Sequence, residues 1–178
     1  MQSIPDLLLQ DSQRLRILKL LATIDLKDAH IAAGFVRNMV WDALHEKPTP
    51  TPLNDVDVVF FDANDKDNTL AKKALKELQG LDGSVPWQVK NQAHMHLKNN
   101  DRAYLDIGDA MSFWPEKETA IAVSITLNKD IKVVAPFGTE SLFKGLITQN
   151  PKRAKSVFLQ RVYAKGWLEI WPELKIIK

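Results

Sequence analysis

The chain lacks cysteine altogether, so neither a disulfide nor a thiolate metal centre can be built from its 178 residues. It also lacks a large charge excess: 24 Lys and Arg stand against 22 Asp and Glu, for a formal net charge of +2. No strongly basic surface therefore announces nucleic-acid binding, although a local basic groove is compatible with the composition. No apolar run approaches the roughly 20 residues that a membrane helix needs. The opening MQSIPDLLLQDSQRLRILKLL carries charges throughout and has no cleavable apolar core, so it does not read as a signal peptide. A soluble, cytoplasmic protein is expected. Walker loops, Gly-x-Ser-x-Gly turns and cysteine nucleophiles are missing too, and the enzyme classes built on them have no support.

What is present is an ordinary globular balance, 45% hydrophobic and 26% charged, at a length that suits one full-sized core. There is no internal repeat and no low-complexity linker. The expectation is a single domain over residues 1–178, with helical segments at about 1–25 and about 150–178 packed on it. The longest break, EKPTPTPLN at 46–54, holds three prolines and reads as a surface loop. Apolar spacing predicts helices at 5–21, 36–45, 68–79, 141–146 and 152–167, the third stopped by Gly80. Strands are predicted at 30–34, 55–61, 87–91, 120–127 and 131–135, the last two joined by the turn Asn128-Lys129-Asp130. The mixture lacks a regular βαβ alternation, so the fold class is α+β.

Asp55 and Asp57 sit one residue apart in the valine- and phenylalanine-rich strand. Alternate strand residues share a face, so the two carboxylates point together. Such a pair is costly to bury alone, and a divalent cation offsets the repulsion. Oxygen-only ligands suit Mg²⁺ or Mn²⁺, which usually keep waters and contact a substrate phosphate. The bland alternative is two solvated aspartates at a strand end. Upstream, Gly34 closes one strand and opens a helix, where backbone can approach an anion closely. Arg37 in the first turn could hold phosphate oxygens through two parallel hydrogen bonds, with a neutral bond from Asn38. Pairing with a surface carboxylate or plain solvation are the competing readings for Arg37.

Ala33-Gly34-Phe35-Val36-Arg37-Asn38 followed by Asp55-Val56-Asp57 resembles the signature of the nucleotidyltransferase superfamily, the DNA polymerase beta-like fold. The spacing is closest to the branch of CCA-adding enzymes and poly(A) polymerases, which runs Gly-Gly-x-Val-Arg-Asp and then Asp-x-Asp. Val89 to His96, Trp114-Pro115-Glu116, Pro136-Phe137-Gly138, and Arg161, Lys165, Trp167 and Trp171-Pro172 resemble a small bacterial nucleotidyltransferase-like family, a likeness that names no substrate. The resemblance implies a mixed central sheet with flanking helices. It implies Asp55 and Asp57 as catalytic residues and metal ligands for Mg²⁺ or Mn²⁺, and nucleotide phosphates held by Gly34 and Arg37. Read from the residues alone, Asn38 adds a neutral nucleotide contact, and Asn91 and Gln92 are candidates for contacts to a base or ribose, with structural amides the commoner reading. The implied reaction moves a nucleoside monophosphate from a nucleoside triphosphate to a hydroxyl acceptor, which could be a small molecule, a protein or RNA. Three positions depart from the pattern: Ala33 for the first glycine, Asn38 for the aspartate, and neutral Gln88 where a third catalytic acid belongs. Asp106 and Asp109 are the substitutes to examine. A non-catalytic nucleotide-binding or regulatory module on the same fold is the alternative, and a plain interaction domain the third reading.

His94 and His96 could be metal ligands, but two histidines without a third are weak grounds and packing is expected. Trp114, Trp167 and Trp171 are expected in the core. Lys72, Lys73 and Lys76 are expected on a solvated helix face.

Overall fold

Two capping carboxylates organise the N-terminal end of the computed structural model, which describes residues 2–126 and 130–177. Ser3 and Asp6 form a reciprocal capping box that starts α1 (Ile4–Gln10). Asp11 then takes an extended backbone and caps α2 (Ser12–Leu21), accepting the Arg14 N–H at 2.9 Å. The one helix expected at 5–21 is thus two, because Asp11 satisfies a second helix start better than it continues the first.

β1 (His30–Ala32) leads directly into α3 (Gly34–Leu44). β2 (Val56–Phe60), α4 (Thr69–Leu81) and β3 (Trp87–Asn91) follow. Helix α4 runs through Gly80, a residue that weakens a helix without stopping it, and ends where Asp82 turns extended. Next come the short α5 (Met95–Asn99) and α6 (Ile107–Met111), then β4 (Ala122–Ile125) and β5 (Ile131–Val134). The predicted turn joining these strands includes residues 128 and 129, which lie outside the described residues. The chain closes with α7 (Glu140–Phe143), β6 (Leu146–Thr148), α8 (Lys155–Ala164), α9 (Trp167–Ile170) and β7 (Lys175–Ile177). Gly166, at φ 60°, separates α8 from α9, so the helix expected at 152–167 is also broken.

The main sheet has the order β3-β2-β1-β4-β5, with β2 and β3 parallel and the other pairs antiparallel. It is mixed, as the α+β reading requires. Strand alternation gives it two unlike faces. Val56 and Val58 point into the main core, beside Val36, Val40 and Leu78. Ala32, Val59 and Ala122 face the other way, onto a smaller cluster with Ile107 and Met111. Asp57 shares that second face. Trp41, Trp167 and Trp171 meet edge to face at 5.1–5.5 Å and anchor α9 against α3. Among the described residues no helix is long and apolar enough to cross a membrane.

Candidate active site

Asp55 and Asp57 open onto one cleft, as the two-residue spacing predicts, although Asp55 stands just ahead of β2 and not within it as the expected strand 55–61 had it. In register, Asp57 lies between Ala32 of β1 and Gln88 of β3. Adjacent residues of a parallel pair project from the same face, so Gln88 occupies the position beside Asp57. Two residues on, Lys90 reaches back and donates to Asp57 Oδ1 at 2.8 Å. The strand next to the carboxylates therefore supplies an amide and an ammonium where a third acid is expected.

The second wall is the turn between β1 and α3. Ala33 stands at φ 57°, ψ −122°, a region that a side chain strains against. Its methyl lines the cleft, and so does Gly34. A Cβ added to Gly34 would sit 3.5–3.7 Å from the ends of Arg37 and Asn38, in the space between turn and side chains. The first N–H groups of an eleven-residue helix have no partner within the helix, and they suit an anion.

Arg37 is 6% exposed. Its Nη1 donates to Thr119 Oγ1 at 2.7 Å and its Nη2 to Asn38 Oδ1 at 2.9 Å, while its Nε–H has no partner. The guanidinium lies 4.3 Å from the Trp167 ring centre and 4.9 Å from that of Trp41. Among the described residues Arg37 forms no ion pair. Burial pushes its pKa down to about 10, against the pull of Glu116 and, more weakly, of Asp55 and Asp57. It remains a cation at neutral pH, held by neutral acceptors and aromatic faces, beside two carboxylates it does not touch.

The third wall comes from the C-terminal helices and the proline-rich loop. Arg161 projects from α8, and Glu116, fully buried, grips it at 2.6 Å. Lys165 follows one turn later, and both line the cleft. Thr51, Pro52, Leu53 and Asn54 line it from the loop. Asp42 fixes that loop, accepting from Thr51 N at 2.7 Å, Thr51 Oγ1 at 2.6 Å and Trp171 Nε1 at 2.8 Å. Asp55 and Asp57 separate a lobe of about 150 Å³, on the Gly34 and Arg37 side, from one of about 380 Å³ on the Lys90 side.

Of the site residues read from the sequence, Gly34, Arg37, Asn38, Asp55 and Asp57 meet in this cleft. Asn91 does not. It is buried, its Oδ1 accepts from Asp62 N and Ala93 N, and its Nδ2 donates to the Asp62 carbonyl, so the amide is consumed by the loop after β2. Asp106 is the N-cap of α6 and Asp109 pairs with Arg102 at 2.7 Å, and neither lines the cleft. His94 and His96 lie in the helical turns after β3. His96 Nδ1 hydrogen-bonds the Ala93 carbonyl, and its ring packs on Tyr104. Trp167 and Trp171 are core residues as expected, and Trp114 is partly buried, packed against the smaller cluster with one side lining the larger lobe. Sequence reasoning gave no role to Lys90, Thr119, Arg161 or Lys165. The four-residue spacing of Arg161 and Lys165, which places both on one helical face, was a usable signal.

As donors for a divalent cation the cleft offers two carboxylates. Among the described residues no group of three or more His, Cys, Asp or Glu comes together to hold a metal. Two carboxylates fit Mg²⁺ or Mn²⁺ when waters and phosphate oxygens complete the shell.

A helix start, a buried arginine and paired carboxylates about one cleft form the arrangement that phosphoryl-transfer proteins use. The chain belongs to the nucleotidyltransferase family, which residues 19–176 match. Its α+β fold is that of a nucleotidyltransferase head domain. An NMR structure described as revealing a CCA-adding enzyme head domain is 28% identical, with a TM-score of 0.83 over 97% of this chain and 93% of that one. A CCA-adding enzyme solved with ATP is 15% identical, with a TM-score of 0.64 over 99% of this chain and 43% of that one. The Thermotoga maritima CCA-adding enzyme in complex with tRNA is 14% identical, with a TM-score of 0.65 over 99% and 43%. The chain thus spans under half the length of these two enzymes, and the likeness to them is one of fold. No curated protein matches the sequence.

Proposed function

We propose that the chain transfers a nucleoside monophosphate from a nucleoside triphosphate to a hydroxyl acceptor, with Mg²⁺ or Mn²⁺ held by Asp55 and Asp57. The observation that carries this reading is Arg37: a buried cation with no carboxylate partner among the described residues, at a helix start, sharing a cleft with Asp55 and Asp57. A buried charge left without a counter-charge costs several kcal/mol, which an anionic ligand would recover. Arg37 and the first turn of α3 bind the phosphates of the leaving pyrophosphate. Arg161, fixed by Glu116, and Lys165 add positive charge on the facing wall. The acceptor oxygen bonds to the α-phosphorus, the bond to pyrophosphate breaks, and the hydroxyl proton is lost. A bound divalent ion would stabilise the attacking and leaving oxygens. A nucleoside triphosphate donor is in keeping with the neighbour solved with ATP, and the neighbour solved with tRNA puts RNA among the acceptor classes. Release of pyrophosphate from each of four nucleoside triphosphates with Mg²⁺ or Mn²⁺ tests the proposal. Asp57→Asn should abolish it.

One observation favours a second reading, a nucleotide-binding module without transfer. Gln88 stands beside Asp57, and Lys90 already pairs with it. No pyrophosphate release from any triphosphate, together with metal-dependent nucleotide binding, would decide for this reading. Gln88→Glu should then create or raise activity, since it places an acid next to Asp57.

A further inference from the structure

Lys90 brings a cation to the strand where a third acid is expected. It lies two residues beyond Gln88 on β3, and both project from the face that carries Asp57. Its ammonium donates to Asp57 Oδ1 at 2.8 Å. The two side chains are 44% and 19% exposed, so the pair stands in the cleft and not in the core. Asp57 borders both lobes, whereas Lys90 lines the larger one, away from Gly34 and Arg37. With one oxygen of Asp57 taken by Lys90, the other carboxylate oxygens suffice for one divalent ion that keeps waters and phosphate oxygens. A second ion would have to displace the ammonium or sit against it, and neutral Gln88 offers no charge to offset that repulsion.

We infer that Lys90 is a catalytic residue that takes the place of a second divalent ion, so that the cleft holds one Mg²⁺ or Mn²⁺ and one ammonium. The inference rests on the transfer reading proposed above, because it assigns Lys90 to the acceptor. In two-ion sites one cation attends the attacking oxygen and the other the leaving oxygen. Here Arg37 and the start of α3 mark the leaving side, and Lys90 stands on the opposite side of Asp57. The acceptor oxygen bonds to the α-phosphorus, the bond from that phosphorus to pyrophosphate breaks, and the hydroxyl proton passes to water. Lys90 keeps its own protons and donates a hydrogen bond to the attacking oxygen while the new bond forms. A compact charge with three donors on a flexible stem suits this role, since it holds Asp57 and reaches the acceptor oxygen at once.

The test counts ions first and rates second. Parent, Lys90→Met and the double variant Gln88→Glu/Lys90→Met are each held with an equimolar α,β-methylene nucleoside triphosphate. Mn²⁺ is then titrated, and electron paramagnetic resonance counts the bound ions and shows whether two are spin-coupled. The parent should bind one uncoupled Mn²⁺ per complex, and the double variant a spin-coupled pair. Two coupled ions in the parent overturn the inference. So does a double variant that still holds one ion, because something other than Lys90 then keeps the second ion out. With a hydrolysable triphosphate, Lys90→Met should lower kcat about 100-fold, the scale of one lost donor to a developing oxyanion, with little change in the KM for triphosphate. Lys90→Arg, which keeps a cation there, should restore part of the rate. A Lys90→Met protein as fast as the parent overturns the inference as well. A parent that binds one ion with nucleotide but turns over no triphosphate contradicts the transfer reading instead, and the ion count still decides whether Lys90 holds the second cation's position.

Discussion

Two buried arginines flank the start of α3, and they are satisfied in opposite ways. Arg14 is 1% exposed, donates its Nε to the Phe35 carbonyl at 2.8 Å and pairs with Asp11 at 2.5 Å. Arg37 is 6% exposed and has a hydroxyl, an amide and two indole faces, but no carboxylate. Each leaves one guanidinium nitrogen without a partner among the described residues, Nη2 of Arg14 and Nε of Arg37, so the counter-ion is what differs. Arg14 is completed by the fold and ties α2 to α3. On the proposed function Arg37 is completed by the ligand's phosphates, and it is the one that lines the Asp55–Asp57 cleft. Burial alone does not mark a functional cation, whereas burial without a counter-charge beside an open cleft does.

The strongest way to break this contrast is at Arg14. Arg14→Ala should cost about 3 kcal/mol of stability, because it strands Asp11 and leaves a large void. Denaturant unfolding measures the cost, and the folded variant should bind triphosphate like the parent. Arg37→Met should do the reverse. Removing an uncompensated charge and keeping the volume leaves the melting temperature within a few degrees of the parent. Triphosphate affinity should fall about 30-fold, the worth of roughly 2 kcal/mol of charged hydrogen bonding. If Arg37→Met unfolds as Arg14→Ala does, the two arginines play one role and the contrast fails.

Ala33→Gly should stabilise the protein by about 1 kcal/mol, since glycine takes φ 57°, ψ −122° without strain. A melting temperature no higher than the parent's would mean that the turn is not strained. The smallest expected effect lies at Lys90. Its ammonium competes with any cation for Asp57, so Lys90→Met should tighten Mn²⁺ binding about threefold, the scale of a half-exposed ion pair. Paramagnetic titration of free Mn²⁺ reads this directly, and weaker binding in the variant would make Lys90 a helper of the site.

The parts of the site legible in the sequence are those set by local periodicity. The period-two spacing put Asp55, just ahead of β2, and Asp57 within it on one cleft, and the break at Gly34 put Arg37 in the first turn of a helix. The residues that partner them come from far along the chain. Thr119 is 82 positions from Arg37, and Arg161 is 45 from Glu116, distances that no pattern window spans. For Asn91 the sequence left a nucleotide contact and a structural amide both open, and it is the backbone of Asp62, 29 positions away, that takes up its amide. In the fold, helix 5–21 is divided at Asp11, whose cap outweighs the continuing apolar spacing, and helix 152–167 stops at Ala164, with Lys165 and the positive-φ Gly166 between it and α9. The three-residue strands β6 and β7 carry too few positions to show a period.

The central claim is that Arg37 and the Asp55–Asp57 pair serve one phosphorylated ligand. It is tested most directly by titrating a non-hydrolysable nucleoside triphosphate into the parent, Arg37→Met and Asp57→Asn, each with Mn²⁺ and with chelator. The parent should bind tightly only with Mn²⁺. Asp57→Asn should bind weakly and indifferently to metal, and Arg37→Met weakly but still better with metal than without. Equal affinity in all three proteins, unchanged by chelator, would contradict the account.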